Sequence, residues 1–195
     1  MKKFQDKVVW ITGSSSGIGE ATAYEFAKEG AKLILTALEA DLLQQVCKKC
    51  EELGSPKAEA LPFDLSQKDQ VAELAEKAWN VFGYIDVFYN NAGISQRSKT
   101  IDTEMKVINK VMDINYFAPV IMTKVILPKM VERGGGQLVV TTSINGRFGF
   151  PLRCAYSSSK HALYGFFETI QAEYYNDNIR VTVVSPGRVK TKISF

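Results

Sequence analysis

Histidine is almost missing from this chain: 195 residues contain one, His161. Any serine-hydrolase triad would have to recruit that single imidazole. Cysteine is scarce too. There are three, and the only close pair, Cys47 and Cys50, lies in a polar helical stretch without a second ligand pair. That setting favours ordinary helix residues over a metal or redox motif. No apolar run approaches the roughly 20 residues of a membrane span. The N-terminus, M-K-K-F-Q-D-K, has no apolar signal segment. The expectation is a cytoplasmic protein with no membrane segment in this chain, an anchor removed from either end staying compatible. Excess charge is missing as well. The net charge is +3, and Lys2, Lys3, Lys48 and Lys49 read as solvated faces, so no nucleic-acid partner is expected. Linkers, repeats and low-complexity tracts are lacking, which leaves one domain over 1–195.

What is present is alternation. Short β-branched runs at 7–12, 32–36, 58–62, 85–89, 136–142 and 179–185 are separated by helical patterns near 17–29, 40–53, 67–82, 104–132 and 155–176. This order predicts an α/β fold: a doubly wound, Rossmann-like parallel sheet with helices on both faces. In such sheets ligands bind beyond the carboxyl ends of the strands. The unusual short motifs fall there: Thr12-Gly13, Asp64, Asn90-Asn91-Ala92-Gly93, Ser143 and Pro186-Gly187.

The first motif, T-G-S-S-S-G-I-G, runs from Thr12 to Gly19 between a strand and a helix. Gly13 suits a tight turn, Gly17 a close backbone approach to a ligand, and Gly19 close helix packing. The helix N-terminus would face a pyrophosphate. The same residues spell G-x-S-x-G around Ser15, the nucleophile elbow of α/β-hydrolases. That rival needs His161, which falls inside a predicted helix rather than on a late loop.

Tyr156 and Lys160 are four residues apart in A-Y-S-S-S-K. Helical spacing puts phenol and ammonium on one face. A phenol titrates near about 10. A nearby cation and a helix N-terminus both favour phenolate, so the pair is expected to lower the Tyr156 pKa toward neutrality.

Taken in order, T-G-S-S-S-G-I-G, Asp64, N-N-A-G, Asn115, Ser143, Y-S-S-S-K and P-G-R-V-K-T resemble the short-chain dehydrogenase/reductase superfamily over the whole chain. N-N-A-G-I-S-Q-R-S and S-K-H-A-L-Y-G-F-F look closest to its member-seven branch, which is associated with lipophilic carbonyl compounds. The resemblance implies an NAD(P)-dependent oxidoreductase interconverting a carbonyl and an alcohol. It casts Tyr156 as acid/base, Ser143 as hydrogen-bond partner of the substrate oxygen, and Lys160 as holder of the nicotinamide ribose. Asn115 would hold a water linking Lys160 to solvent. It puts Gly13, Ser15, Ser16, Gly17, Ile18 and Gly19 at the phosphates and Asp64 and Leu65 near the adenine. Asn91, Ala92 and Gly93 would flank the cofactor, and Pro186, Gly187, Val189 and Thr191 would complete the contacts.

Pro119, four residues after Asn115, removes the N–H that the Asn115 carbonyl would accept. A freed carbonyl suits a relay water, and a kink that merely fits the helix to the sheet is the alternative. At the end of the second strand Ala37 and Leu38 supply neither the acid of NAD enzymes nor the arginine of NADP enzymes, and Glu39 follows. The branch resemblance leans to NADP, with NAD as the alternative. Family members usually continue well past P-G-x-x-x-T. The expectation is therefore a chain lacking the usual C-terminal substrate lid and last strand. That supports a second reading, a cofactor-binding or scaffolding protein with little turnover. The apolar helices around 116–131 and 161–175 are a candidate homodimer interface.

Overall fold

The structure is a computed structural model, and it describes residues 2–189. Six parallel strands form one sheet: β1 (Val8–Thr12), β2 (Lys32–Thr36), β3 (Ala58–Ala60), β4 (Val87–Asn90), β5 (Gly136–Thr141) and β6 (Ile179–Val184). Their order across the sheet is β3-β2-β1-β4-β5-β6. The chain therefore reverses direction of travel between β1 and β4, which opens a crevice at the carboxyl ends of those strands.

Strand alternation supplies both faces of the core. All five residues of β1 are buried, as expected of a central parallel strand. Val8 and Trp10 join one apolar cluster, with Phe88 and Met122. Val9 and Ile11 join the other, with Leu33 and Leu43. Trp10 stacks on Phe88 at 4.2 Å between ring centroids, and its indole N–H donates to Thr36 Oγ1 at 2.9 Å. The indole thus meets both its apolar and its polar requirement.

The helices are α1 (Gly17–Lys28), α2 (Ala40–Leu53), α3 (Val71–Phe82), α4 (Met105–Met112), α5 (Ala118–Glu132) and α6 (Cys154–Glu173). Left-handed Gly54 and Gly83 stop α2 and α3. Cys47 and Cys50 are ordinary residues of α2. Both are packed in the core, and burial pushes their thiols up to about 11 and about 12.

Some boundaries differ from the sequence reading. β3 ends at Ala60, although Leu61 and Phe63 N–H still donate to Leu35 and Ala37 carbonyls; Pro62 between them has no N–H to give. The long helix is not uniform. Between α4 and α5 lies one π-helical stretch, Asp113–Phe117, in which the Ala118 N–H reaches back to the Asp113 carbonyl. The expectation about apolar length also needs amending. Met105–Glu132 is long and apolar enough to cross a membrane by length and composition alone. In this fold it is a core helix, with Val111, Ile114, Met122, Ile126 and Met130 buried.

Candidate functional site

A cleft of about 740 Å³ opens at the carboxyl ends of the strands. It is lined by Gly13, Ser15–Ile18, Asp64, Leu65, Asn91–Gly93, Ser143, Tyr156, Lys160, Pro186, Gly187 and Val189. Most residues singled out from the sequence therefore meet in one place. Gly19 and Asn115 stand just behind the wall. Thr191 lies outside the described residues.

The glycine-rich loop is shaped by what it must avoid. Gly13 has φ +68°, and a Cβ there would stand 2.7 Å from Ala92 Cα. A Cβ on Gly19 would stand 2.2 Å from the Gly13 carbonyl oxygen. The loop is thereby pressed flat between β1 and α1. Ser14 closes it from beneath, its hydroxyl donating to the Ile11 and Thr36 carbonyls. Ser16 occupies the N-cap of α1 without making a side-chain cap bond. The first-turn N–H groups of α1 are thus left for a ligand in the cleft, and the helix dipole makes that ligand anionic.

The loop is tied to the other strand ends. Thr12 Oγ1 accepts from both the Asn91 and Ala92 N–H groups, each at 3.1 Å. The Asn91 amide donates to the Thr12 and Gly13 carbonyls, and Thr141 Oγ1 donates to Asn91 Oδ1 at 3.0 Å. Asp64 accepts from the Ser66 N–H at 2.9 Å, and its hydrogen bonds to Ser66 hold its carboxyl below the usual range.

Lys160 is 3% exposed and donates to the Thr141 carbonyl at 2.8 Å. An ammonium has three donors. The remaining ones face the cleft near Gly93, where a Cβ would lie 3.4 Å from Nζ. Burial alone pulls the Lys160 pKa down from 10.5 to about 8. Ser143 sits at the end of β5, its hydroxyl accepting from the Asn145 N–H and hydrogen-bonded to the Tyr156 phenol.

The expected lowering of the Tyr156 pKa is not seen. Burial raises it, and the lowering effects of the Ser143 hydrogen bond and the Arg153 charge do not offset that. The reason is geometric. The Lys160 ammonium is turned to the Thr141 carbonyl and lies 5.8 Å from the Tyr156 ring centroid. As arranged, the phenol is a proton donor held ready rather than a preformed phenolate.

Asn115 does more than the sequence reading assigned to it. Its Oδ1 accepts from the Ile94 N–H at 2.8 Å, and its Nδ2 donates to the Ile94 carbonyl and to Ser159 Oγ. It clamps the loop after β4 onto α6 behind Lys160. The π-helical stretch centred on it widens the helix at this point, a geometry that often marks functional positions.

Two residues escaped sequence reasoning. Gln96 Oε1 accepts from the Tyr156 N–H at 3.2 Å and so helps to satisfy the start of α6. Arg153 donates from Nη1 to the Gln96 carbonyl and lines the cleft beside Tyr156. Both depend on the loop before α6, where Leu152 holds φ +64°, a conformation its composition does not announce. The hydrolase reading has no support here. The Ser15 hydroxyl donates to Glu39, and His161 Nδ1 pairs with the Ser157 carbonyl one helical turn away from it.

The site fits a dinucleotide on three counts: the flattened loop, the uncapped α1 terminus and the unspent donors of Lys160. Comparison agrees. Residues 7–194 match the family model for short chain dehydrogenases. The mouse dehydrogenase/reductase SDR family member 7B is 43% identical over 195 residues, 97% of this chain and 60% of that protein. The chain thus spans about 60% of the curated relatives it matches. A short-chain dehydrogenase/reductase from Burkholderia phymatum in complex with NAD superposes with a TM-score of 0.92 at 27% identity, covering 100% of this chain and 70% of that one. A Beutenbergia cavernae structure with bound NADP gives 0.93 at 27%, covering 97% and 75%. The fold, the cleft and these matches place the chain in the short-chain dehydrogenase family.

Proposed function

We propose that this chain carries the cofactor site and catalytic groups of an NAD(P)-dependent oxidoreductase that interconverts a carbonyl and an alcohol on a lipophilic small molecule. The observation behind this reading is the convergence of Ser143, Tyr156 and Lys160 on one cleft beside the glycine-rich loop. When bound, the nicotinamide supplies or accepts the hydride.

The rest is done by the chain. The N–H groups of the α1 terminus and the loop would hold phosphate, and the Lys160 donors would hold ribose hydroxyls. Ser143 Oγ donates to the substrate oxygen and fixes it opposite the Tyr156 hydroxyl. Tyr156 Oη gives its proton to that oxygen in reduction and takes it back in oxidation. The Lys160 ammonium, once it swings from the Thr141 carbonyl toward the phenol, stabilises the phenolate left behind, in a setting where water screens it little. Lipophilic substrates are supported by the apolar side chains at the cleft rim: Ile144, Phe150 and Leu152 are 45%, 54% and 37% exposed.

Oxidation of NADH and NADPH against lipophilic ketones and aldehydes tests the reading. Tyr156→Phe should abolish turnover while leaving cofactor affinity within a few-fold. Tight cofactor binding with no turnover of any carbonyl would favour the cofactor-binding alternative. A homodimer through α5 and α6 is part of the proposal, but its apolar surface is smaller than the sequence implied. Leu163, Phe167 and Ile170 are spent in the core, while Tyr116, Ile121 and Phe166 stay half-buried. A light-scattering mass near one chain would exclude it.

A further inference from the structure

We propose that Arg153 is a positioning residue for the acid/base: its guanidinium, fixed to the main chain of the loop after β4, is the cation that attends the Tyr156 phenol. The inference rests on the functional reading above and deepens it. Lys160 leaves that role open in the resting site, because its ammonium is docked on the Thr141 carbonyl at 2.8 Å. Until Lys160 swings, a positive charge on the phenol side has to come from another residue.

Arg153 is the N-cap residue of α6, and one helical turn separates it from Tyr156. The two are joined a second time through Gln96. Arg153 Nη1 donates to the Gln96 carbonyl, and Gln96 Oε1 accepts from the Tyr156 N–H at 3.2 Å. Gln96 is itself buried, and its Nε2 donates to the Leu152 carbonyl and to Cys154 Sγ, each at 3.4 Å. The Ser98 N–H donates to the same Leu152 carbonyl. The loop after β4 is thus sewn to the start of α6, with the guanidinium and the phenol on either side of the seam. A free arginine has much rotamer entropy to lose in holding one position; here folding has already removed it.

The other charged groups stand elsewhere. Among the described residues that line the cleft, the acids are Glu39 and Asp64. They follow β2 and β3, on the far side of β1 from Ser143, so neither neutralises Arg153. Arg97 after β4 and Arg188 after β6 are exposed to water. The neighbouring Cys154 thiol is engaged with Gln96 and Thr103. Burial acts most strongly on the phenol and raises its pKa; the Ser143 hydrogen bond and the Arg153 charge work against burial. A guanidinium keeps its charge at every pH a protein survives, whereas burial brings Lys160 to about 8. Arg153 therefore leaves a cation beside the phenol where Lys160 has lost its own.

The test puts a ring-fluorinated tyrosine at position 156, whose more acidic phenol titrates while the protein is folded. Fluorine NMR follows it in the full chain without cofactor or substrate. Arg153→Gln keeps a donor for the Gln96 carbonyl but no charge; Arg153→Lys keeps the charge. Arg153 is half-buried at the cleft wall, so both variants should fold. Arg153→Gln should raise the phenol pKa by about half a unit or more, and Arg153→Lys by less than half as much. A pKa unmoved by Arg153→Gln, or moved equally by both, would overturn the proposal. In reduction of lipophilic ketones, Arg153→Gln should lower kcat about threefold or more and leave KM within about twofold. A KM rise larger than the kcat loss would make Arg153 a substrate contact and overturn the proposal as well. The expected pKa shifts in a parent chain that reduces no carbonyl would sustain the pairing of Arg153 with the phenol and sink the oxidoreductase reading alone.

Discussion

Replacing Lys160 with methionine should separate stability from chemistry. The side chain is buried, and burial drops its pKa from 10.5 to about 8. The folded state therefore binds fewer protons than the unfolded chain between those values, so stability rises with pH across that window. Below pH 8 the native protein carries the full cost of a buried ammonium, about 3 kcal/mol from a shift of this size. Methionine fills similar volume without charge but leaves the Thr141 carbonyl without its donor, at about 1–3 kcal/mol. At pH 7 the variant should consequently be as stable as the parent or up to about 2 kcal/mol more stable. Its turnover should nonetheless fall by about 10²-fold or more, since the phenolate loses its charge partner. The pH dependence is the sharper signature. Between pH 7 and pH 10 the parent should gain about 2.5 kcal/mol relative to the variant. Urea unfolding of both proteins at several pH values measures this. A stability difference that stays constant from pH 7 to 10 would refute the argument that burial is what depresses Lys160.

Further outcomes follow from the same geometry. Reduction rates should hold to about pH 8 and decline above it as Lys160 loses its charge, since Tyr156, pushed upward, is still protonated there; a pH profile of kcat checks this. Ser143→Ala should lower kcat by about 10²-fold with a small effect on cofactor affinity, read by parallel kinetics and titration. Asn115→Leu removes the partner of the Ile94 N–H and carbonyl, and should cost about 2–4 kcal/mol in urea unfolding. Gly13→Ala forces a side chain against Ala92 at positive φ and should abolish dinucleotide binding in the same titration.

Much of this arrangement could be read from residues alone, because it rests on local rules. The β1 and α1 boundaries follow from a β-branched run and a glycine-rich turn. The strand-end positions of Asn91, Ser143 and Pro186 follow from a parallel sheet. What could not be read depends on contacts between distant segments. The direction in which Lys160 points is set by the Thr141 carbonyl, 19 residues earlier. The upward shift of Tyr156 comes from burial, which outweighs the opposing effects of Ser143 and Arg153. Glu39 was ambiguous from sequence because only the Ser15 bond fixes where its carboxylate lies. Pro119 signalled an irregular helix, but not that the irregularity would be a wide turn ending one residue before Ala118.

The fit of Gly13 against Ala92 has a consequence for how this chain can vary over generations. The residues are far apart in sequence, yet position 13 cannot take a side chain unless the end of β4 gives way, and its φ of +68° strains one in any case. The single-step mutational route through position 13 is therefore closed. A descendant that loses this glycine must first have moved the segment after β4.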